Sequence, residues 1–328
     1  MSSILRVGLN PYGLTVRLGL QGTGDQRHPA PWSVHEFVDF AFAQGVRSIE
    51  IHDAHLFALS TDERLALRKR LEEADGHLVI ALMPDLDRLR EGIDLAVEME
   101  AKVLRLGLSS VLEGARAQLG DAWPALVEQI RTKLNAAAPY AAEQGVTIGI
   151  EDHQDFGSEE LLAFCEEAGE CVGITLDCAN PLSVGEDIMS FVRRVAPRVV
   201  HVHLKDYVTR WTEEGFVLMR CPLGQGVVPF TEIEACLAEH HRELTASVEI
   251  AALQGRHIRV FREDWWRFYA PKSAIELAAC LAEVAKGILP PGQDGRTPFE
   301  TGATGEEIGE WEIAQELASF AFIRSLGW

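Results

Sequence analysis

Eight short, almost uninterrupted apolar runs alternate with longer amphipathic segments along this chain, and few architectures accept that order. The runs cover residues 5–10, 48–52, 78–83, 103–108, 146–151, 173–177, 199–204 and 246–250. Strands covered on both faces read this way, as continuous Val, Ile and Leu instead of apolar–polar alternation. Helical patterns fill the gaps, from Val34 after the N-cap candidate Ser33, from Thr61, and across 87–101, 123–144, 158–168, 185–195, 230–240 and 271–286. Strand–helix alternation predicts a parallel sheet. Eight such units favour closure into an α/β, (β/α)8 TIM barrel over an open doubly wound sheet. No glycine-rich phosphate loop follows the first strand, so no nucleotide cofactor is expected.

Two segments exceed the repeat. Residues 206–228 form a long loop after the seventh strand, with two apolar runs flanking Glu213-Glu214-Gly215, which predicts a hairpin. Residues 289–328 begin as a Gly/Pro-rich linker and end in an extra C-terminal helix over 310–326. Its apolar set is Trp311, Ile313, Leu317, Phe320 and Ile323. The expected organisation is a barrel over 1–288 plus this tail. The helix is expected to dock on the barrel or on a partner subunit, as in a homo-oligomer.

Charge narrows the partners. Thirty Lys+Arg against 50 Asp+Glu leave −20, a surface that repels phosphate backbones and anionic headgroups. The expectation is no nucleic acid and no membrane, with a small molecule as partner. The six cysteines contain no C-x-x-C pair, as in a reduced, cytoplasmic protein. The first residues show no charged leader or long apolar stretch.

In a barrel the chemistry sits at the C-terminal strand ends. There the fifth strand offers Glu151-Asp152-His153, the sixth Asp177-Cys178-Ala179-Asn180, the seventh His201-Val202-His203-Leu204-Lys205-Asp206, and the eighth Glu249. Carboxylates after apolar runs are costly unless paired or metal-bound. Three carboxylates and one imidazole suit Mn²⁺ best, with Mg²⁺, Co²⁺ or Zn²⁺ as alternatives. One of His201 and His203 is expected to face inward; position favours His203, with His201 outward or beside it.

These motifs, with Ile148-Gly149-Ile150-Glu151 and Val248-Glu249-Ile250, resemble the xylose-isomerase-like TIM barrels across roughly residues 7–286. That group includes sugar isomerases and epimerases, inosose and dehydroshikimate dehydratases, and endonuclease IV. The resemblance implies one divalent metal held by Glu151, Asp177, His203 and Glu249. It also implies Glu151 and Glu249 as paired acid and base. This chain departs from the ketose 3-epimerases: Asn180 stands where they have His, and Leu204-Lys205-Asp206 where they have Gly-Glu and Arg. The His-Leu-Lys-Asp version resembles sugar phosphate isomerase/epimerase members, some of them lyases.

The leading expectation is a sugar isomerase or epimerase working through an enediolate. The alternative is a lyase on an oxidised (keto) sugar: a dehydratase, decarboxylase or C-glycoside-cleaving enzyme. His153 is a third catalytic candidate, a base at the pocket rim or a hydrogen-bonded loop histidine. Lys205, Asn180, His52, Arg105, Arg256 and Trp265 are substrate-binding candidates. Competing readings are a salt bridge from Lys205 to Asp206 or a strand-end acid, a buried charge partner for Arg105, and a structural anchor for Trp265.

Overall fold

The apolar runs pair side by side because each buries both faces, and they close on themselves. The computed structural model describes residues 3–250 and 253–328. The barrel strands are β1 (Leu5–Leu9), β2 (Ser48–His52), β3 (His77–Leu82), β4 (Val103–Leu106), β5 (Thr147–Glu151), β6 (Val172–Asp177) and β7 (Val199–Leu204). The strands β8 (Tyr207–Thr212) and β9 (Gly215–Arg220) form the predicted hairpin, β10 (Leu244–Val248) is the eighth barrel strand, and β11 (Arg256–Ile258) follows. The closed order is β1-β10-β7-β6-β5-β4-β3-β2. Every barrel pair is parallel. This is a TIM barrel.

The first helix, α1 (Val34–Ala43), starts at Ser33, whose hydroxyl caps Glu36 N while the Glu36 carboxylate returns to Ser33 N. That reciprocal pair satisfies two of the donors a helix start leaves bare. Then come α2 (Asp53–Phe57), α3 (Thr61–Glu73), α4 (Leu89–Glu98) and α5 (Ala122–Gln144). Helix α5 ends at Gly145 with φ +69°, a left-handed turn that glycine adopts without strain. The rest are α6 (Ser158–Ala168), α7 (Ile188–Val195), α8 (Phe230–Ala238), α9 (Ala274–Lys286) and α10 (Gly305–Leu326). Among the described residues no helix is long and apolar enough to cross a membrane.

The eighth helix position is not filled by the eighth helical pattern. Helix α9 is tied to the hairpin instead: Thr209 Oγ1 donates to Val284 O at 2.6 Å, and Thr209 N to Gly287 O at 2.7 Å. Helix α10 lies between α8 and the β1 side of the barrel. Phe322 meets Phe230 at 5.6 Å, and Phe320 and Ile323 share a cleft with Val7, Gly45 and Ser48. The C-terminal helix therefore completes the outer ring.

Its inner face also differs from the apolar stripe read off the sequence. Ile308, Phe320 and Ile323 are buried, but so are Glu312, Glu316 and Ser319, while Leu317 is exposed. Two of the polar residues have work there. Glu312 accepts from Val16 N and Arg17 N, both at 2.8 Å, and Ser319 Oγ accepts from Leu223 N at 3.2 Å. A helix that must satisfy bare loop N–H groups cannot present only carbon.

The hairpin and β11 make a three-stranded antiparallel sheet, ordered β11-β9-β8. Asp206 anchors its base. Oδ1 accepts from Tyr207 N and Val228 N, and Oδ2 from Gly224 N and Gly226 N, at 2.9–3.1 Å. Gly226 is required, because a Cβ there would stand 2.2 Å from Asp206 Oδ1.

Candidate metal centre

Side chains two apart on a strand share a face, so both His201 and His203 of β7 point into the barrel. This corrects the expectation that only one would. His203 sits at the upper layer and His201 one layer below, both fully buried. Both rings reach one carboxylate oxygen from β2: Glu50 Oε2 is 2.9 Å from His203 Nε2 and 3.3 Å from His201 Nε2. His201 Nδ1 is held by Thr245 Oγ1 at 2.7 Å.

The other nitrogen of His203 faces the four-residue cluster. Ligand atoms of Glu151, Asp177, His203 and Glu249 lie within 4.8 Å of one another, all buried. His203 Nδ1 contacts Glu151 Oε1 at 3.2 Å; it approaches Glu249 Oε2 to 2.6 Å, but off the hydrogen-bonding direction. Two cations border the cluster. Arg105 Nη1 is 3.4 Å from Glu151 Oε2 and its Nε 3.2 Å from Glu50 Oε1. Lys205 Nζ bonds Asp177 Oδ2 and lies 2.9 Å from Glu249 Oε1. Of the two pairings weighed for Lys205, the strand-end acids hold it and Asp206 does not.

Burial and charge oppose each other here. Burial alone would raise the Glu151 carboxyl, yet Arg105, His153 and His203 bring it down to about 2. Glu249 is likewise held well below the ordinary range, against burial, by Lys205 and His203. Burial, with Glu249 and Glu151 close by, lifts Asp177 to about 6 despite Lys205. Burial, then the Asp177 carboxylate beside it, push the Asp152 carboxyl well above the ordinary carboxylate range. Burial works against the Lys205 ammonium, but Asp177 and Glu249 raise its pKa well above the ordinary value.

The residues present fit a divalent cation. Glu50, Glu151, Asp177 and Glu249 carry four negative charges against the Arg105 and Lys205 positives. Without an ion, Glu50 and Glu249 raise the His203 pKa well above the ordinary value against burial; with His203 neutral, as a cation ligand must be, the deficit of two is what one divalent ion neutralises. Glu151 Oε2 and Glu249 Oε2 are buried without a hydrogen bond. Buried carboxylate oxygens left this way are expensive, and three oxygens with one nitrogen form a hard donor set.

Above the cluster opens a cavity of about 230 Å³. It is bordered by Glu151, Glu249, Lys205 and Arg105 on the barrel side, and by Tyr12, His153, Ser109, Arg220 and Arg256 around them. His153 faces it with Nδ1 unpartnered, and burial lowers its pKa, so it is neutral at pH 7. Three candidates for substrate contact do not border it. His52 is buried edge-on against Tyr12 at 4.7 Å, with its pKa lowered to about 3 by burial and Arg105. Asn180 spends its amide on the protein, donating to Asp177 Oδ2 at 2.7 Å and His153 O at 3.2 Å and accepting from Tyr207 Oη at 3.3 Å. Trp265 is a buried anchor, stacked on Tyr269 at 4.8 Å and donating to Glu113 O at 2.9 Å.

Sequence reasoning passed over Asn10, Tyr12 and Arg220, and it placed Glu50 at the end of the second strand beside His52 without giving it a role. Glu50 did carry a signal, a carboxylate in the middle of an apolar strand, which only a buried cation or imidazole makes tolerable. Asn10 Nδ2 lies 3.4 Å from His203 Nε2 at the end of β1. Arg220 sits on the hairpin, where nothing local marks it as facing the barrel.

The chain is similar to several known proteins. YihM of Escherichia coli (strain K12), an uncharacterised protein, is 26% identical over 229 residues, 64% of this chain and 65% of that relative. The chain thus spans just under two thirds of YihM. The 3-oxo-isoapionate decarboxylase of Pectobacterium atrosepticum is 26% identical over 199 residues, 53% of this chain and 70% of the relative. A xylose isomerase-like TIM barrel protein from Mycobacterium smegmatis, solved in complex with magnesium, superposes with a TM-score of 0.51 at 17% identity. The match covers 74% of this chain and 86% of that one. The family model of the xylose isomerase-like TIM barrel matches residues 38–267. With its closed eight-stranded barrel and its strand-end acids and imidazole, the chain belongs to the xylose isomerase-like TIM barrel family.

Proposed function

We propose that this protein is a divalent-cation-dependent lyase acting on an oxidised (keto) sugar acid, with loss of carbon dioxide as the eliminating step. Glu151, Asp177, His203 and Glu249 would hold the cation, with Mn²⁺ the best match to the donor set and Mg²⁺, Co²⁺ and Zn²⁺ as alternatives. When bound, the cation would supply positive charge opposite the substrate's carbonyl and hydroxyl oxygens, lowering the cost of negative charge there.

The observation that carries this reading is Lys205. Its ammonium is buried on the cavity wall, 2.9 Å from Glu249 Oε1 and bonded to Asp177. Loss of carbon dioxide from a 3-oxo acid needs no base: the bond to the carboxylate carbon breaks and its electrons pass into the enolate of the adjacent carbonyl. It then needs a proton donor for the carbon left behind, and Lys205 is a buried, charged amine in place to give one, regaining its proton from solvent. Asn180 supports it indirectly by fixing Asp177. The curated relative from Pectobacterium, a decarboxylase by name, supports the same class.

A second reading, an isomerase or epimerase, is favoured by one contact pair. Glu151 and Glu249 both meet His203 Nδ1 and both border the cavity, as an acid and base on two sides of one substrate carbon would. Incubating the Mn²⁺-loaded protein in deuterated water with 3-oxo sugar acids labelled with ¹³C in the carboxylate separates the two. The lyase reading predicts labelled carbon dioxide and one deuteron on the product carbon. Retained mass with deuterium exchange makes the enzyme an isomerase or epimerase and refutes the lyase.

A further inference from the structure

The extra sheet turns one face toward the cavity, and that face carries two arginines. In the β9–β11 pairing Arg256 stands opposite Leu218, and Arg220 is two residues along from Leu218. The two arginines are therefore diagonal neighbours on one face. Both border the cavity that contains Glu151, Glu249 and Lys205. Arg220 is 7% exposed; among the described residues its Nε is buried without a partner, and only Nη1 is used, donating to Gln254 O at 3.1 Å. Arg256 Nε is also buried and unpartnered.

Among the described residues neither guanidinium has a carboxylate within 4.0 Å, although the chain has 50 acids. The nearby Glu113 is taken, accepting from His257 N and pairing with Arg259 at 3.2 Å. Buried cations are normally paired, and these two face each other's charge instead. Burial and Arg220 lower the Arg256 pKa to about 10, so it remains charged. Tyr207, opposite Arg220 on β8, lies on the same face.

We propose that Arg220 and Arg256 form an oxyanion-recognition site, so that the substrate carries an acidic group, carboxylate or phosphate, held against the extra sheet and retained in the product. Retention follows from the charge. Two guanidinium groups on a carboxylate stabilise the very charge that its loss as carbon dioxide removes, which opposes the reaction. The group they hold is therefore not the one that leaves. The inference rests on the cavity's being the substrate pocket, as proposed above, and not on which bond breaks.

The test is equilibrium binding to the Mn²⁺-loaded protein by calorimetry. Three ligands of equal carbon number are compared: a neutral sugar, its sugar acid and its sugar phosphate. The acid or the phosphate should bind tighter than the neutral sugar, and whichever is tighter names the anion. Arg220→Gln and Arg256→Gln should each weaken that ligand by about 10- to 100-fold and leave the neutral sugar within about 2-fold. Arg256→Lys, which keeps the charge, should recover part of the loss. Inorganic phosphate should compete with the acid on the wild-type protein, a readout that needs no variant to fold. Equal affinity for all three ligands, no competition by phosphate, or unchanged binding in both Gln variants overturns the proposal. Failure of the lyase reading would show instead as retained mass with the anion preference intact.

Discussion

Replacing Arg105 by Met removes one guanidinium and little volume from the floor of the site. Arg105 is 4% exposed and contacts Glu50 at 3.2 Å and Glu151 at 3.4 Å. Breaking a buried pair on one side strands the remaining charge and costs about 3–5 kcal/mol. For 328 residues, about 2.1 cal/mol/K per residue gives an unfolding entropy of ~690 cal/mol/K, so the predicted fall in Tm is ~4–7 °C. Metal should then act as a partial substitute. At 100 times its dissociation constant a ligand stabilises by about 2.7 kcal/mol. The more negative cluster of Arg105→Met binds a cation more tightly than the wild type does, so at equal Mn²⁺ its Tm should rise further. The assay is calorimetric unfolding of chelator-treated protein, wild type and variant, with and without Mn²⁺. A fall of less than about 1 °C, or a gap that Mn²⁺ does not narrow, refutes the charge accounting.

Other consequences are as direct. Lys205→Met should retain the metal but lose turnover, with enolate trapped or reversed instead of protonated; full turnover would remove Lys205 as proton donor. Asp206→Asn puts an amide among four N–H donors and should cost about 1.5–3 kcal/mol, read from denaturant unfolding; an unchanged midpoint would mean the hairpin does not depend on it. Glu316 is fully buried, with both oxygens unpartnered among the described residues, and burial, then Glu312 and Glu249, push its pKa well above the ordinary range. The folded state therefore keeps a proton that the unfolded chain releases above the ordinary carboxylate pKa. Its stabilising contribution is whole below that pH and is lost as pH rises toward the folded pKa. Glu316→Gln should flatten this dependence, with a Tm advantage that grows as pH rises above the ordinary carboxylate range; parallel pH profiles would refute it.

Much of this was readable because barrel strands announce themselves. The strand runs read at 48–52 and 199–204 match β2 and β7 end for end. The four strand-end residues fell together because a parallel barrel delivers all its C-terminal ends to one rim. What stayed hidden depends on contacts between distant segments. Arg220 and Arg256 meet the site only because β11 adds to the hairpin edge. Glu50 and His201 lie a layer below the rim and contact His203, so a scan of strand ends named both without showing that one Glu50 oxygen meets both imidazoles. Helix α10 misled because Glu312 and Glu316 belong to its buried face, where amphipathic patterning predicts carbon.

The central claim is that Glu151, Asp177, His203 and Glu249 hold one divalent cation. Its most direct test is Mn²⁺ titration of chelator-stripped protein with elemental analysis of the product, in the wild type and in Glu249→Gln and His203→Ala. About one ion per chain is expected in the wild type, with loss of that ion in both variants and circular dichroism unchanged. No bound ion in the wild type, or a full complement in both variants, would contradict it.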